Sequence, residues 1–210
     1  MFCKIHSIVF SEGKECSGCK RDRVLEAQWK EIRGDAMKTY FTPRINRDLD
    51  RLSIHVEEED TKQILNGGGL FLYGDPGTGK TLYACAVLLE VIKQRTIADR
   101  KRGGPDTFMF VTTANLFSSI KADFDKDTIG EISGKGALII DDLDLQRNSV
   151  WEVQTLLQIV NNRYEEMRPT IITSNYGLRK LAEVDDRLPS RICGMCCLKK
   201  FSGKDYRVGK

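Results

Sequence analysis

What this chain lacks narrows its class first. No apolar run in its 210 residues approaches the ~20 that a helix needs to cross a bilayer. The opening Met1-Phe2-Cys3-Lys4 has none of the apolar stretch of a secretion signal. A soluble, cytoplasmic protein with no membrane partner is expected. A dominant charge sign is missing too: 33 Lys and Arg face 30 Asp and Glu, a formal net charge of +3. The chain is no polycation, so any nucleic-acid contact must rest on local basic patches. Internal repeats are absent, and the only low-complexity tract is Gly67-Gly68-Gly69. The length suits one α/β domain with a small appendage.

What is present is a complete phosphate-binding loop. Residues 74–81 read Gly74-Asp75-Pro76-Gly77-Thr78-Gly79-Lys80-Thr81, the pattern G-x-x-x-x-G-K-[ST]. The apolar run Leu70-Phe71-Leu72-Tyr73 precedes it as a buried strand, and a helical pattern opens at Leu82. Strand, glycine turn and helix N-terminus aim backbone N–H groups and the positive dipole end at an anion. Lys80 can reach the β/γ-phosphates and Thr81 can offer its hydroxyl to Mg²⁺. The expected ligand is a nucleoside triphosphate, ATP, held by residues 74–82.

Further apolar strands are expected at Phe108–Val111, Ala137–Ile140 and Thr170–Thr173, with helices near 114–124 and 150–167. This alternation implies a parallel sheet with helices on both faces. Lys101–Asp106 reads as a polar loop, and Asp60–Leu65 as a short helix stopped by the glycine triplet. The strand Ala137–Ile140 ends in Asp141-Asp142. A carboxylate at that tip, Asp141, can hold Mg²⁺, and Asp142 can orient the attacking water. An Asp-Asp pair is also common in solvated turns. Asn175, past the tip of the last of these strands, can reach the γ-phosphate or the water; Ser and Asn also favour caps and turns. Arg187 and Arg191, four apart beside Pro189, can be surface charges or can present guanidinium groups at a subunit edge.

The N-terminus carries a second signal. Cys3-x₂-His6 and Cys16-x₂-Cys19 place four soft ligands in two close pairs, a Cys₃His set suited to structural zinc. So short a segment has no core of its own, so metal would supply its folding energy. Lys14, Lys20, Arg21 and Arg23 surround it and can attract phosphates or simply be solvated. The seven cysteines, an odd count, suit thiols and metal ligands in a reducing compartment. Cys193, Cys196 and Cys197 are expected in a buried apolar strand, and Cys85 in the core of the helix after the P-loop. His55 is isolated and receives no role. Val24, Leu25, Trp29 and Ile32 share a helical face that can dock a partner or cover the sheet.

Together, Leu70–Thr81, Leu138–Asp142, Thr173–Asn175 and Arg187–Arg191 resemble the AAA+ ATPases, and most of all their DnaC/IstB branch, which includes bacterial and phage replicative helicase loaders. Thr113-Ala114-Asn115-Leu116, Gln158–Tyr164, Arg168–Asn175 and Gly203–Arg207 look like that branch too. The resemblance covers about residues 45–210. It implies a core without a C-terminal lid that self-associates through shared ATP sites. It further implies Mg²⁺ at Thr81 and Asp141, Asn175 as sensor, and Arg191 as a finger supplied in trans. Arg163, Arg187 and Arg207 are weaker candidates for nucleotide contact. The resulting division is a zinc knuckle at 1–20, a helical linker or docking segment at 21–44, and an ATPase core at 45–210. The adenine pocket is placed near Ile45–Leu52.

Several functions fit these residues. A helicase loader would bind a replicative helicase hexamer and single-stranded DNA, with Lys199, Lys200 and Lys204 as candidate DNA contacts and ATP as the switch. A transposase helper of the same branch would assemble on duplex DNA. A nucleotide-gated adaptor would bind ATP with negligible turnover. A small-molecule kinase would need a lid and an acceptor pocket, and the sequence has no signature of either.

Overall fold

The computed structural model describes residues 2–9, 15–98, 108–122, 127–146 and 148–206. The Lys101–Asp106 loop, Lys14 and Arg207 lie outside the described residues. The chain opens with a small antiparallel hairpin, β1 (Phe2–Cys3) and β2 (Ile8–Val9). Three helices follow: α1 (Ser17–Tyr40), α2 (Pro43–Arg51) and α3 (Glu58–Leu65). Then strands and helices alternate: β3 (Gly69–Gly74), α4 (Lys80–Ala98), β4 (Phe108–Thr112), α5 (Thr113–Ala122), α6 (Thr128–Ser133), β5 (Ala137–Leu143), α7 (Val150–Glu165), β6 (Thr170–Ser174), α8 (Leu178–Ala182), α9 (Arg187–Met195) and β7 (Cys196–Phe201).

The last five strands form one parallel sheet in the order β4-β5-β6-β3-β7. The expected α/β sheet is therefore present. Side chains alternate across it, as a pleated strand requires. On β3, Leu70 and Leu72 join α1–α4 in one core, while Phe71 joins α5, α7 and α9 in the other. Leu138 and Ile140 fall on the Phe71 side, Ile139 on the other. These residues are completely buried, and each contributes roughly 1.5–3 kcal/mol relative to exposure.

Local signals set the helix starts. Thr42 caps α2 by accepting the Ile45 N–H, with Pro43 in the first turn. Ser149 and Glu152 make a reciprocal capping box on α7. Helix α1 begins inside the first twenty residues and runs unbroken to Tyr40. Its Ala36 and Met37 are buried against α4, and Trp29 and Ile32 pack partly on the same core. That face covers the core of the sheet domain, and only Val24 of the group is strongly exposed.

The cysteines after Arg191 do not share one buried strand. Cys193 is exposed on α9, Cys196 is buried at the start of β7, and Cys197 is exposed one residue later. The pleat turns neighbours to opposite faces, and β7 is an edge strand that pairs only with β3. Cys85 is fully buried in α4, as expected.

Candidate nucleotide site and metal centre

The sheet order brings the tips of β5, β6 and β3 side by side, and the candidate residues meet there. Gly74, at the end of β3, has φ +132, and any Cβ on it would strike the Phe201 carbonyl of β7. Only glycine fits that turn. The loop then runs to Lys80, the first residue of α4. Thr78 Oγ1 donates to the Asp75 carbonyl at 2.7 Å. Lys80 Nζ donates to the carbonyls of Gly74 and Asp75, both at 2.8 Å, and to Asn175 Oδ1 at 3.0 Å.

Asp141 accepts from two hydroxyls at one oxygen, Thr81 Oγ1 and Thr173 Oγ1, each at 2.7 Å. Burial lifts the Asp141 carboxyl above its usual range, and the Thr173 and Thr81 hydroxyls pull it partly back. Asp142 is in the left-handed region with φ 58, and its N–H donates to Thr173 Oγ1 at 2.9 Å. Asn175 Nδ2 donates to Asp142 Oδ1 at 3.2 Å. Lys80, Thr81, Asp141, Asp142 and Asn175 thus form one connected group.

A cleft of about 1020 Å³ opens over this group. Residues 76–83 of the loop and α4 line it, as do Asp141, Asp142 and Asn175. Ile45, Asp48 and Leu52 make a further wall, where the adenine pocket was placed. Sequence reasoning missed Thr173, which holds both carboxylate positions. No sequence signal marks it, since only the ladder sets Thr173 beside Leu72 of β3 and brings its hydroxyl to Asp141. It also missed the strand-end segment after Phe201: Tyr206 N–H donates to the Gly77 carbonyl at 3.0 Å.

The candidate arginines lie elsewhere. Arg163 is completely buried and donates to Thr170 Oγ1 and to the carbonyls of Ser133, Lys135 and Pro169. It is a structural clamp between α7, β6 and the turn before β5, and it does not line the cleft. Arg187 pairs with Asp185 at 2.7 Å. Arg191 Nε donates to Asn161 Oδ1 at 2.7 Å and lies over the Tyr164 ring. Neither lines the chain's own cleft. Lys199, expected as a DNA contact, instead reaches Asp60, Glu57 and Tyr83 OH between β7, α3 and α4.

At the N-terminus, Cys3, His6, Cys16 and Cys19 converge. Zinc with Zn–S of about 2.3 Å and Zn–N of about 2.0–2.1 Å at the centre of a tetrahedron requires edges of about 3.8 Å (S···S) and about 3.6 Å (S···N). The structure has Cys3 Sγ 3.7 Å from Cys19 Sγ. His6 Nδ1 is 3.6, 3.9 and 3.6 Å from the sulfurs of Cys3, Cys16 and Cys19. The donor set therefore fits a tetrahedral ion of this size. The His6 backbone N–H and its ring draw the Cys3 thiol down to about 6, which favours the thiolate that a metal needs.

A P-loop at the end of an inner parallel strand, with a polar tip following the adjacent strand and an acidic tip on the strand beyond that, defines a nucleotide-binding ATPase domain of the AAA+ type. The model for the IstB-like ATP binding protein family matches residues 47–188, and the chain belongs to this family, the IstB/DnaC-type AAA+ ATPases. It is 26% identical over 142 residues to the replicative helicase loader DnaC of Escherichia coli K12, covering 65% of this chain and 52% of that protein. It is 28% identical over 146 residues to DnaC of Buchnera aphidicola, covering 60% and 55%. The chain thus spans about half the length of these curated relatives. A crystal structure of the DnaC helicase loader matches with a TM-score of 0.59 at 26% identity, covering 77% of this chain and 100% of that one. The structure of DnaI shares the fold, with a TM-score of 0.60 at 22% identity over 79% and 94%. Among the described residues no helix is long and apolar enough to cross a membrane.

Proposed function

We propose that this chain is an ATP-dependent replication factor that loads a replicative helicase hexamer onto single-stranded DNA, with ATP binding and hydrolysis as the assembly and release switch. The similarity to DnaC across the ATPase core carries this reading. Lys80 binds the β/γ-phosphates in place of its present carbonyl and Asn175 contacts. Thr81 and Asp141 hold Mg²⁺, which neutralises charge on the transferring phosphoryl group when bound. Asp142 orients the attacking water, and Asn175 senses the γ-phosphate. Arg191, exposed and outside its own cleft, completes the site of a neighbouring copy. The Cys₃His set holds a structural Zn²⁺ between the N-terminal hairpin and the first turn of α1, ahead of the core. The exposed Trp151, with Lys121 Nζ 5.2 Å from its ring and paired with Glu152, offers a stacking surface for single strands.

A second reading, a transposase helper on duplex DNA, fits the same match to the IstB-like ATP binding protein family. ATP hydrolysis measured with and without single-stranded and duplex DNA separates them. Stimulation by single strands supports the loader, and stimulation by duplex alone supports the helper. ATP binding with no turnover under any condition overturns both in favour of an adaptor.

A further inference from the structure

Helix α1 has an unusual start. It is 24 residues long, yet its N-cap residue, Cys16, makes no side-chain cap hydrogen bond, and its first turn contains no acidic residue. The first N–H groups of a helix have no partner within it and need an acceptor or a negative charge nearby. The helix's only buried residues are Gly18 in the first turn and Ala36 and Met37 near its far end. Packing against α4 therefore secures the second half, and the first turns rest instead on the His6 ring of the N-terminal hairpin.

The metal-ligand cluster sits at that start. Cys16 occupies the cap position and Cys19 the third residue of the helix, where a capping box would place its two side chains. Asp22 follows three residues later, on the same face of the helix. Its Oδ2 lies 2.8 Å from His6 Nε2, while Nδ1 of the same ring faces the three sulfurs. One ring nitrogen therefore points at the carboxylate and the other at the ligand cluster. A carboxylate in this place fixes the N–H on Nε2 and leaves the Nδ1 lone pair for the metal. Gly18 leaves room for this arrangement, because a Cβ there would collide with the His6 ring. A glycine inside a helix costs roughly 0.5–1 kcal/mol against alanine. Seating the ring against the first turn accounts for that residue.

We propose that Asp22 is a positioning residue for the metal at Cys3, His6, Cys16 and Cys19, and that the loaded centre is the N-terminal cap of α1. This rests on the zinc reading given above. Three thiolates and one divalent cation carry a net charge of −1, the sign that a helix N-terminus favours. Metal occupancy and order in the first turns of α1 are then one equilibrium. The knuckle is thereby joined through a continuous helix to α4, the helix that begins with Lys80.

The test uses the full chain loaded with Co²⁺ in place of Zn²⁺, read by its thiolate absorption and by chelator competition. Wild type is expected to take one ion per chain. Asp22→Ala is expected to keep that stoichiometry and tetrahedral spectrum but lose about 10–100-fold in affinity. Asp22→Asn, which retains an acceptor oxygen, is expected to fall between. Hydrogen exchange of amides 17–28 should speed up on metal removal while α4 amides hold their protection. Unchanged affinity in Asp22→Ala overturns its positioning role. Protection of 17–28 that survives metal removal overturns the cap. A wild-type chain that binds no Co²⁺ or Zn²⁺ overturns the zinc reading itself, and the proposal with it.

Discussion

Lys80 Nζ donates to Asn175 Oδ1 across 3.0 Å, joining two residues 95 positions apart at the place where the proposed function puts the γ-phosphate. Nucleotide binding has to exchange this contact for phosphate oxygens. Lys80→Ala is therefore expected to lose nucleotide affinity outright, because the phosphates lose their counter-charge. Asn175→Ala should bind ATP within a few-fold of wild type and hydrolyse it about 10²-fold more slowly, the usual cost of one transition-state donor. Equilibrium binding with a fluorescent nucleotide and steady-state turnover separate the two. Wild-type affinity in Lys80→Ala would remove the basis of the P-loop assignment.

Asp142 combines a left-handed backbone with its place beside Asn175. Asn tolerates that conformation and valine does not. Asp142→Asn should keep the thermal midpoint and trap bound ATP, whereas Asp142→Val should also lower the midpoint. Arg191→Ala should bind ATP and fail to hydrolyse it. Mixed with Asp142→Asn, it should recover some turnover, because one interface then holds an intact arginine beside an intact Asp142. No recovery at any ratio would argue against a shared site.

The buried Arg163 yields the opposite pattern. Arg163→Met removes the donor to three carbonyls and a hydroxyl. Each buried acceptor left unpaired costs about 1–3 kcal/mol, so a loss of about 3 kcal/mol or more is expected in denaturant unfolding. The nucleotide affinity of the protein that remains folded should be unchanged. A tenfold change in that affinity would place Arg163 in the site after all.

Burial raises Asp141, so its proton returns at a higher pH than for an ordinary aspartate. In the proposed site the charged form is the one that would hold Mg²⁺. The magnesium-dependent part of ATP affinity should therefore fall as pH drops through the raised value. Thr173→Val deletes a hydroxyl that stabilises the carboxylate and should move this fall to higher pH. Binding titrations across the acidic range, with and without magnesium, would show it. Identical curves for the two proteins would contradict the proposed role of Thr173.

Trp151→Ala should weaken single-stranded DNA binding by about 1–3 kcal/mol, the usual worth of one stacked base. ATP affinity should not change. Anisotropy with a labelled oligonucleotide tests this, and an unchanged affinity would move the DNA path elsewhere.

The sheet and most of the nucleotide site were legible because local signals agreed with the global fold. Leu70–Tyr73, the glycine turn and the Leu82 pattern each implied their neighbours, and Asp141 followed from four apolar residues ending in a carboxylate. Contacts made across the sheet were illegible. Thr173 reads as one more β-branched strand residue until the ladder sets it beside Leu72 and Asp141. Lys199 reads as a free cation until β7 brings it to Asp60, and Arg163 as a helix-face charge until α7 packs it against β6. Trp29 shows the same limit from the other side, since an amphipathic face does not say whether its cover is a partner or the chain's own α4.

The placement of β3 has a consequence for how the protein is made. Leu70 aligns with Ile171 on one side and Cys197 on the other. The strand that leads into the P-loop leaves the ribosome long before either flank exists. Until about residue 201 has emerged, Gly74 has no Phe201 carbonyl to turn against and Lys80 has no stable strand behind it. The nucleotide site can therefore form only once residues up to about 201 have emerged, and a shorter nascent product, with its apolar Leu70-Phe71-Leu72 unpaired, is left for chaperones and proteases.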